Sequence, residues 1–361
     1  MHQQIRFCSS FDGVRIAYAI LGRGPPLVMS ASWLTHLENQ WRSLAWKPWL
    51  EHLSRRFTLI RYDSRGCGLS DRNVTDFSFE LWVRDFEAVI DAAGFPQVSL
   101  LGTCQGGPIA IEYAARHPER VAKLLLYGTY ARGLAKRREM TEQADKAKVL
   151  LDMLRLGWGD ENHAYLQVWA SLFQPGGSIE HLRSWSELQR QSTSPEVAVR
   201  LFEATFNVEV EASARRLRCP TLLISPERDA LVPLEEGRRL ARLIPGARFV
   251  PLDTNNHMPL ADEPAWQRLV AEMDGFLTEV GHRACACMSA ERFAGLTERE
   301  REVLQAVASG HDNAEIAERL ELSEKTVRNH LTRVFDKIGV RHRYEAIVVA
   351  REAGFGSSSG R

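Results

Sequence analysis

The chain has 361 residues, 44% of them apolar and 25% charged, and its 46 basic and 46 acidic side chains leave a formal net charge of +0. That length allows two domains, one with a full-size core. The charge balance gives no global nucleic-acid signature, and no apolar run approaches membrane-spanning length.

The first residues, MHQQIRFCSSFDGVRIAY, lack the apolar segment of a signal peptide, so a cytoplasmic protein is expected. Its six cysteines show no disulfide-framework spacing and would stay thiols there. Cys285 and Cys287 form a Cys-x-Cys pair with no matching His or Cys cluster nearby. The expectation is a linker thiol pair, with no metal and no cofactor.

From the N-terminus, short apolar runs predict strands over 14–20, 26–30, 57–63, 98–102, 121–128, 221–225 and 248–252. Helices are predicted over 79–93, 105–116, 234–243 and 264–280. Near-continuous apolar strands alternating with helices point to a mostly parallel sheet covered on both faces. Between about 131 and 217 the strand rhythm stops. That insertion is helical and rich in large apolar residues, Leu150, Trp169, Leu172, Phe173, Trp185, Phe202 and Phe206 among them, and reads as a lid over the sheet.

The chemistry gathers at strand ends. Residues 98–101 run into Gly102-Thr-Cys104-Gln-Gly106-Gly107 and then an alanine-rich helix. Flanking glycines permit the sharp strand-to-helix turn that exposes a nucleophile, and the helix aims N–H groups and its positive end at the same spot. Asp229 follows a later strand, and His257 follows the last one. Nucleophile, acid and histidine, each just beyond a strand, stand in the chain order of α/β-hydrolases. Residues 10–280 resemble that fold further through Asp12-Gly13, Gly22-x-Gly24-Pro25-Pro26, Asp63-x-Arg65-Gly66-x-Gly68-x-Ser70 and His117-Pro-Glu-Arg-Val121.

The resemblance implies Cys104 as nucleophile, His257 as base and Asp229 as the acid that orients it, with Glu227 and Asp253 as competitors. It implies one oxyanion donor in the backbone N–H of Gln105 and a second near Ser32 or Trp33. Two departures stand out. Cysteine replaces the usual serine, and the loop that usually carries His-Gly reads Ser30-Ala-Ser-Trp33. Thiols beside a histidine at a helix N-terminus ionise more readily than free ones and attack well at neutral pH. Losing one oxyanion donor costs a working hydrolase about 3–4 kcal/mol. Trp33, Trp169, Phe173, Trp185 and Phe206 are candidates to face a ligand, with Met258 as a floor. No role is assigned to His36 or Cys67.

The last sixty or so residues follow other rules. Thr297 with Glu300 makes a capping box, and Val303, Leu304 and Val307 continue at helical spacing. Gly310 ends that helix, Asn313 is expected to cap the next, and Glu321-Leu322 make a turn before Ser323 caps a third. Val327, Leu331, Val334 and Ile338 form its buried stripe, leaving Lys325, Arg328, Asn329, Thr332 and Arg333 outside. Residues 298–324 carry eight acids and three bases, a net of −5, whereas 325–343 carry six bases and one acid, a net of +5. A basic second helix suits major-groove reading.

Residues 296–353 resemble the DNA-binding domain of LuxR-type regulators through Leu296-Thr297, Arg299-Glu300, Gly310, Asn313-Ala-Glu-Ile-Ala317, Leu322-Ser323 and Thr326-Val-Arg-Asn-His330. The resemblance implies that Arg328, Asn329 and Thr332 face base edges and that Lys325, Thr326 and Arg333 lie nearer phosphates. A fourth helix over 343–351 would carry a dimer contact through Tyr344, Ile347 and Val348.

The expected fold class is thus α/β: an α/β-hydrolase fold with a helical lid, followed by a small all-α helix-turn-helix domain. Boundaries are expected at 1–280 for the ligand-sensing domain, 281–294 for a linker in which Phe293 anchors to the bundle, and 295–355 for the DNA-binding domain. A flexible tail over 356–361 completes the chain. The expected partners are double-stranded DNA, a partly apolar small molecule and a second copy of the chain, with no membrane. Three functions are compatible: a ligand-controlled transcription regulator, a thiol hydrolase of esters or lactones with a DNA-binding tail, and a redox or electrophile sensor acting through Cys104.

Overall fold

The computed structural model describes residues 3–137, 141–158, 164–278, 293, 295–340, 343, 346, 350 and 355, with segment 141–147 described by its main chain alone. The chain divides into two compact units, Met1–Thr278 and Glu279–Arg361. No helix among the described residues is long and apolar enough to cross a membrane.

In the first unit, strands β1 (Gln4–Ser9), β2 (Arg15–Leu21), β3 (Pro26–Met29), β4 (Thr58–Tyr62), β5 (Val98–Thr103), β6 (Val121–Tyr127), β7 (Thr221–Pro226) and β8 (Arg248–Leu252) form one sheet. Their order is β1-β2-β4-β3-β5-β6-β7-β8, parallel from β4 to β8 and antiparallel at β1 and β2. The central strands are apolar along nearly their whole length because helices cover both faces, so Leu100, Leu101, Leu124, Leu125 and Leu222 are fully buried. Sequence patterning missed β1. It is an edge strand with mostly exposed side chains, and it shows no clean apolar alternation to read. A tight turn joins it to β2, Ser10 N–H donating to the Val14 carbonyl at 2.8 Å.

Helices α1 (Lys47–Arg56), α2 (Phe79–Ala93) and α3 (Gly106–Arg116) precede the insertion. The insertion holds α4 (Thr141–Gly157), α5 (Ala164–Phe173), α6 (Ile179–Ser192), α7 (Pro195–Thr205) and α8 (Glu211–Arg215). After it come α9 (Leu234–Leu243) and α10 (Pro264–Thr278). The core is continuous from the sheet into the insertion, where Trp158, Trp169, Phe173 and Trp185 are buried.

The second unit contains α11 (Glu298–Ala308), α12 (Asn313–Arg319) and α13 (Glu324–Ile338). Thr297 and Glu300 form the expected capping box, Ser323 caps α13, and Val327, Leu331, Val334 and Ile338 are buried. The cap of α12 is a correction: Asp312 holds it, not Asn313. The Asp312 carboxylate accepts from Ala314 N–H and Glu315 N–H at 2.9 Å each, and Glu315 returns a bond to Asp312 N–H at 2.8 Å. The Glu three residues on completes a capping box for the aspartate, and Asn313 instead accepts from Arg343 at 2.7 Å. Gly310 takes φ +93° just after the C-cap of α11, and Glu321 takes φ +53° in the turn before α13.

Phe293 is buried in the core of this unit and packs on Phe355 with ring centroids 5.2 Å apart. Arg343, Ala346 and Ala350 are helical. Tyr344, Ile347 and Val348 lie outside the described residues, as do Cys285, Cys287 and the 356–361 tail.

Candidate functional site

Cys104 occupies the turn between β5 and α3 at φ +50°, a left-handed conformation that a residue with a Cβ seldom adopts. Three hydrogen bonds hold it there. Its N–H donates to the Tyr127 carbonyl at 3.1 Å, and its carbonyl accepts from Gly107 N–H at 3.1 Å and from the Thr129 hydroxyl at 2.5 Å. The flanking glycines let three segments meet. A Cβ on Gly102 would sit 2.7 Å from the Gly107 Cα, and one on Gly106 would sit 2.6 Å from the Ser30 hydroxyl. Ser30 in turn donates to the Gly106 carbonyl at 2.7 Å, tying the loop that lacks His-Gly to the start of α3.

Asp229 Oδ2 lies 2.6 Å from His257 Nδ1, and both side chains are almost completely buried. Asp229 is fixed by Leu231 N–H at 2.8 Å and Val232 N–H at 3.2 Å, donated to its other oxygen. Burial alone would favour a neutral imidazole. The Asp229 carboxylate and then Cys104 outweigh that cost and push His257 up to about 10. Glu227 and Asp253, the competing acids, are exposed and bridged by Arg228. His36 and Cys67 are buried elsewhere, and burial raises the Cys67 thiol to about 12.

Beside Cys104 opens a cavity of about 700 Å³. Trp33, Gln105, Trp169, Phe173 and the loop Asp229–Pro233 line it, together with Leu150, Leu172 and Phe202 from the insertion. A smaller recess joins Cys104 and His257 to Ser32, Thr103, Trp185 and Met258. Ser32 Oγ and Thr103 Oγ1 are buried there without a hydrogen-bond partner. Of the ligand-facing candidates, Trp169 lines the main cavity, Trp33 and Phe173 line both it and the recess, and Trp185 and Met258 line the recess. Phe206 lines neither. It follows the end of α7, and Phe202, one turn earlier, takes the wall position with its ring 5.0 Å from that of Phe206. The sequence reading also passed over Tyr130 and Arg137 as lining residues. Arg137 ends a Leu-Ala-Lys-Arg stretch whose only visible signal is charge.

In the second unit, Lys325, Arg328, Asn329, Thr332 and Arg333 are exposed on α13 and Thr326 is half-buried. The Thr332 hydroxyl donates back to the Arg328 carbonyl at 3.1 Å, and the Thr326 and Ser323 hydroxyls lie 2.8 Å apart. Lys337 turns the other way and pairs with Glu300 of α11 at 2.7 Å.

A parallel sheet, a strained cysteine elbow and a buried Asp–His pair define the hydrolase class, and comparison with known proteins agrees. A family model described as alpha/beta hydrolase fold matches residues 25–264, and one described as bacterial regulatory proteins, luxR family, matches 294–350. The chain belongs to the α/β-hydrolase fold family and carries a LuxR-family DNA-binding domain behind it. Among similar proteins, the pimeloyl-[acyl-carrier protein] methyl ester esterase of Chromobacterium violaceum is 30% identical over 263 residues, 70% of this chain and 95% of that one. The putative carbamate hydrolase RutD of Azorhizobium caulinodans is 29% identical over 244 residues, 66% of this chain and 87% of its own. An esterase from Exiguobacterium antarcticum superposes with a TM-score of 0.65 at 22% identity, covering 76% of this chain and 99% of that one. The enol-lactonase of Burkholderia xenovorans does so at 0.61 and 25% identity, covering 76% and 100%.

Proposed function

We propose that this protein is a transcription regulator controlled by a partly apolar small molecule bound in its hydrolase-type cavity, acting as a cytoplasmic homodimer on double-stranded DNA. One observation carries the reading. Cys104 and the Asp229 loop line an apolar cavity, and the recess beside it joins Cys104 to His257, in a chain that also carries a LuxR-family domain.

The buried Asp229–His257 pair favours a second reading, that Cys104 reacts with its ligand. Cys104 Sγ would attack a carbonyl carbon, and the backbone N–H of Gln105 would hold the developing oxyanion with help from the Trp33 N–H or the Ser32 hydroxyl. As the C–O bond breaks, His257 gives its proton to the leaving oxygen. Water, deprotonated by His257, would then cleave the thioester and release the acid. On the DNA side, Arg328, Asn329 and Thr332 would read base edges while Lys325, Thr326 and Arg333 meet phosphates.

The two readings part in one comparison. Cys104→Ala and Cys104→Ser are assayed for hydrolysis of short aryl esters and for binding to duplexes selected from a random pool, with and without ester. Sensing by occupancy predicts that alanine ends hydrolysis and leaves ester-dependent DNA binding in place. Sensing by covalent chemistry predicts that alanine ends both. A protein that selects no sequence in any state defeats the regulator reading.

A further inference from the structure

Two openings of very different size meet at Cys104, the cavity of about 700 Å³ and the recess of about 10 Å³. The candidate groups are divided between them. Gln105 lines the cavity and not the recess, whereas His257 lines the recess and not the cavity. An oxyanion held at Gln105 therefore lies on the cavity side, and an oxygen that exchanges a proton with His257 lies on the recess side.

Ser32 Oγ, Thr103 Oγ1 and Trp46 Nε1 belong to residues lining the recess, and all are buried with no hydrogen-bond partner among the described residues. Neighbouring hydroxyls and indoles do find partners. Ser30 donates to the Gly106 carbonyl at 2.7 Å and Thr129 to the Cys104 carbonyl at 2.5 Å. With its amide oxygen turned toward them, Gln189 accepts from Trp169 Nε1 at 3.2 Å and from Trp185 Nε1 at 2.8 Å. An unpaired buried donor costs about 1–3 kcal/mol, so three of them around one recess call for a polar occupant. A space of about 10 Å³ is what one water needs, and a buried water takes roughly three polar partners.

We propose that the recess is a subsite for one small hydroxylic oxygen, and that the substrate is an ester of a long, apolar acid with methanol. The proposal rests on the covalent reading above and names the ester it would take. With the acyl chain in the cavity, Cys104 Sγ bonds the carbonyl carbon. The C–O bond then breaks toward the recess, and the oxygen takes the His257 proton and leaves as methanol. Water occupies the same place next. It gives a proton to His257 while its oxygen bonds the thioester carbon, and the C–S bond breaks to leave the free acid and the Cys104 thiolate. Thr103 and Trp46 hold the oxygen on both occasions; Ser32 sits in the loop proposed to help the oxyanion and so has a second duty. The recess leaves no room for a longer alkoxy group. An aryl oxide departs without a proton from His257, so activated aryl esters escape this limit.

The test uses three isomeric esters on the full chain: methyl octanoate, butyl pentanoate and heptyl acetate. In wild type kcat/KM should fall in that order, by at least about 100-fold from first to last. Met258→Ala, which enlarges the recess, should narrow that preference by about 10-fold. Thr103→Val, which keeps the shape and removes the hydroxyl, is given 4-nitrophenyl octanoate. Acylation is followed as nitrophenolate release, and deacylation as decay of the octanoyl adduct on Cys104 by intact-mass spectrometry. Deacylation should slow by about 10-fold with acylation unchanged. A merely structural role would slow both steps alike, which overturns the proposal. If the adduct forms but methyl octanoate is not the preferred isomer, the subsite alone is refuted. If no protein with Cys104 forms an adduct, the covalent reading falls and the subsite falls with it.

Discussion

Cys104 carries the conformational cost of the site in its own main chain. At φ +50° a side chain with a Cβ is disfavoured by about 1–2 kcal/mol relative to glycine. Cys104→Gly should therefore unfold at higher denaturant than Cys104→Ala by about 1 kcal/mol, although neither retains a thiol. Chemical denaturation of the two variants checks this, and equal midpoints would mean that the elbow is unstrained. His257 depends on its partner in a different way. Asp229 supplies the largest favourable contribution to its charged form and holds the Nδ1 edge of the ring. Asp229→Asn should slow aryl-ester cleavage at least about 100-fold with the cavity intact, measured as kcat/KM beside the affinity for an unreactive ester. These residues were legible in the sequence because each sits within a few residues of the end of an apolar strand, an order that survives translation into three dimensions. Arg137 and Phe202 were not. Their contribution depends on which side of a lid segment turns inward, and neither the irregular stretch around 131–137 nor the end of α7 has a period that reveals it.

Among the elements, α11 and α13 are joined by one ion pair that also belongs to a helix cap. Glu300 closes the capping box of α11 while Lys337 reaches it from α13, and these contacts, Lys337 first and Thr297 next, bring its carboxyl from 4.5 down to about 2. A depressed folded-state pKa stabilises above the unfolded value and is lost as pH falls through the folded one. The stability gap between wild type and Lys337→Met should accordingly be constant near neutrality and close between about pH 4.5 and 2, followed by hydrogen exchange of α11 and α13 amides. A gap that persists at pH 2 would assign the contact to packing of the lysine stem. Helix α13 also bears the proposed reading face, on which Arg328 and Lys325 are exposed. Arg328→Ala should cost about 1–3 kcal/mol of discrimination between selected and scrambled duplexes if Arg328 meets a base edge. Replacing Lys325 should instead weaken both duplexes alike and reduce the salt dependence of binding. The element pattern here was readable almost to the residue, since caps and buried stripes are local. The exception, Asp312 in place of Asn313, turned on a choice between adjacent residues that can both cap a helix.

On the scale of the whole molecule, a net charge of +0 leaves little general attraction to nucleic acid, so affinity for DNA would come from a local basic face, and the proposed dimer would use it twice. Two chains should bind one duplex carrying two half-sites about one helical turn apart, and light scattering of the complex will count them. One chain per duplex, bound as tightly to a single half-site, would reject the dimer. Overall organisation was the part of the fold most open to sequence reading, because a strand–helix rhythm and a capped helical bundle are unlike over dozens of residues. The mostly exposed edge strand β1 and helix α1 escaped that rhythm. The insertion, finally, is not independent of the histidine. At the end of α5 the Phe173 carbonyl accepts from Met258 N–H at 3.2 Å, Gln174 Nε2 donates to the Met258 carbonyl at 2.9 Å, and Gly176 N–H donates to Asn256 Oδ1 at 2.9 Å. The loop that holds His257 is therefore sewn to the cover of the cavity, so under the proposed ligand-binding role a guest that displaced the end of α5 would also disturb the setting of that histidine.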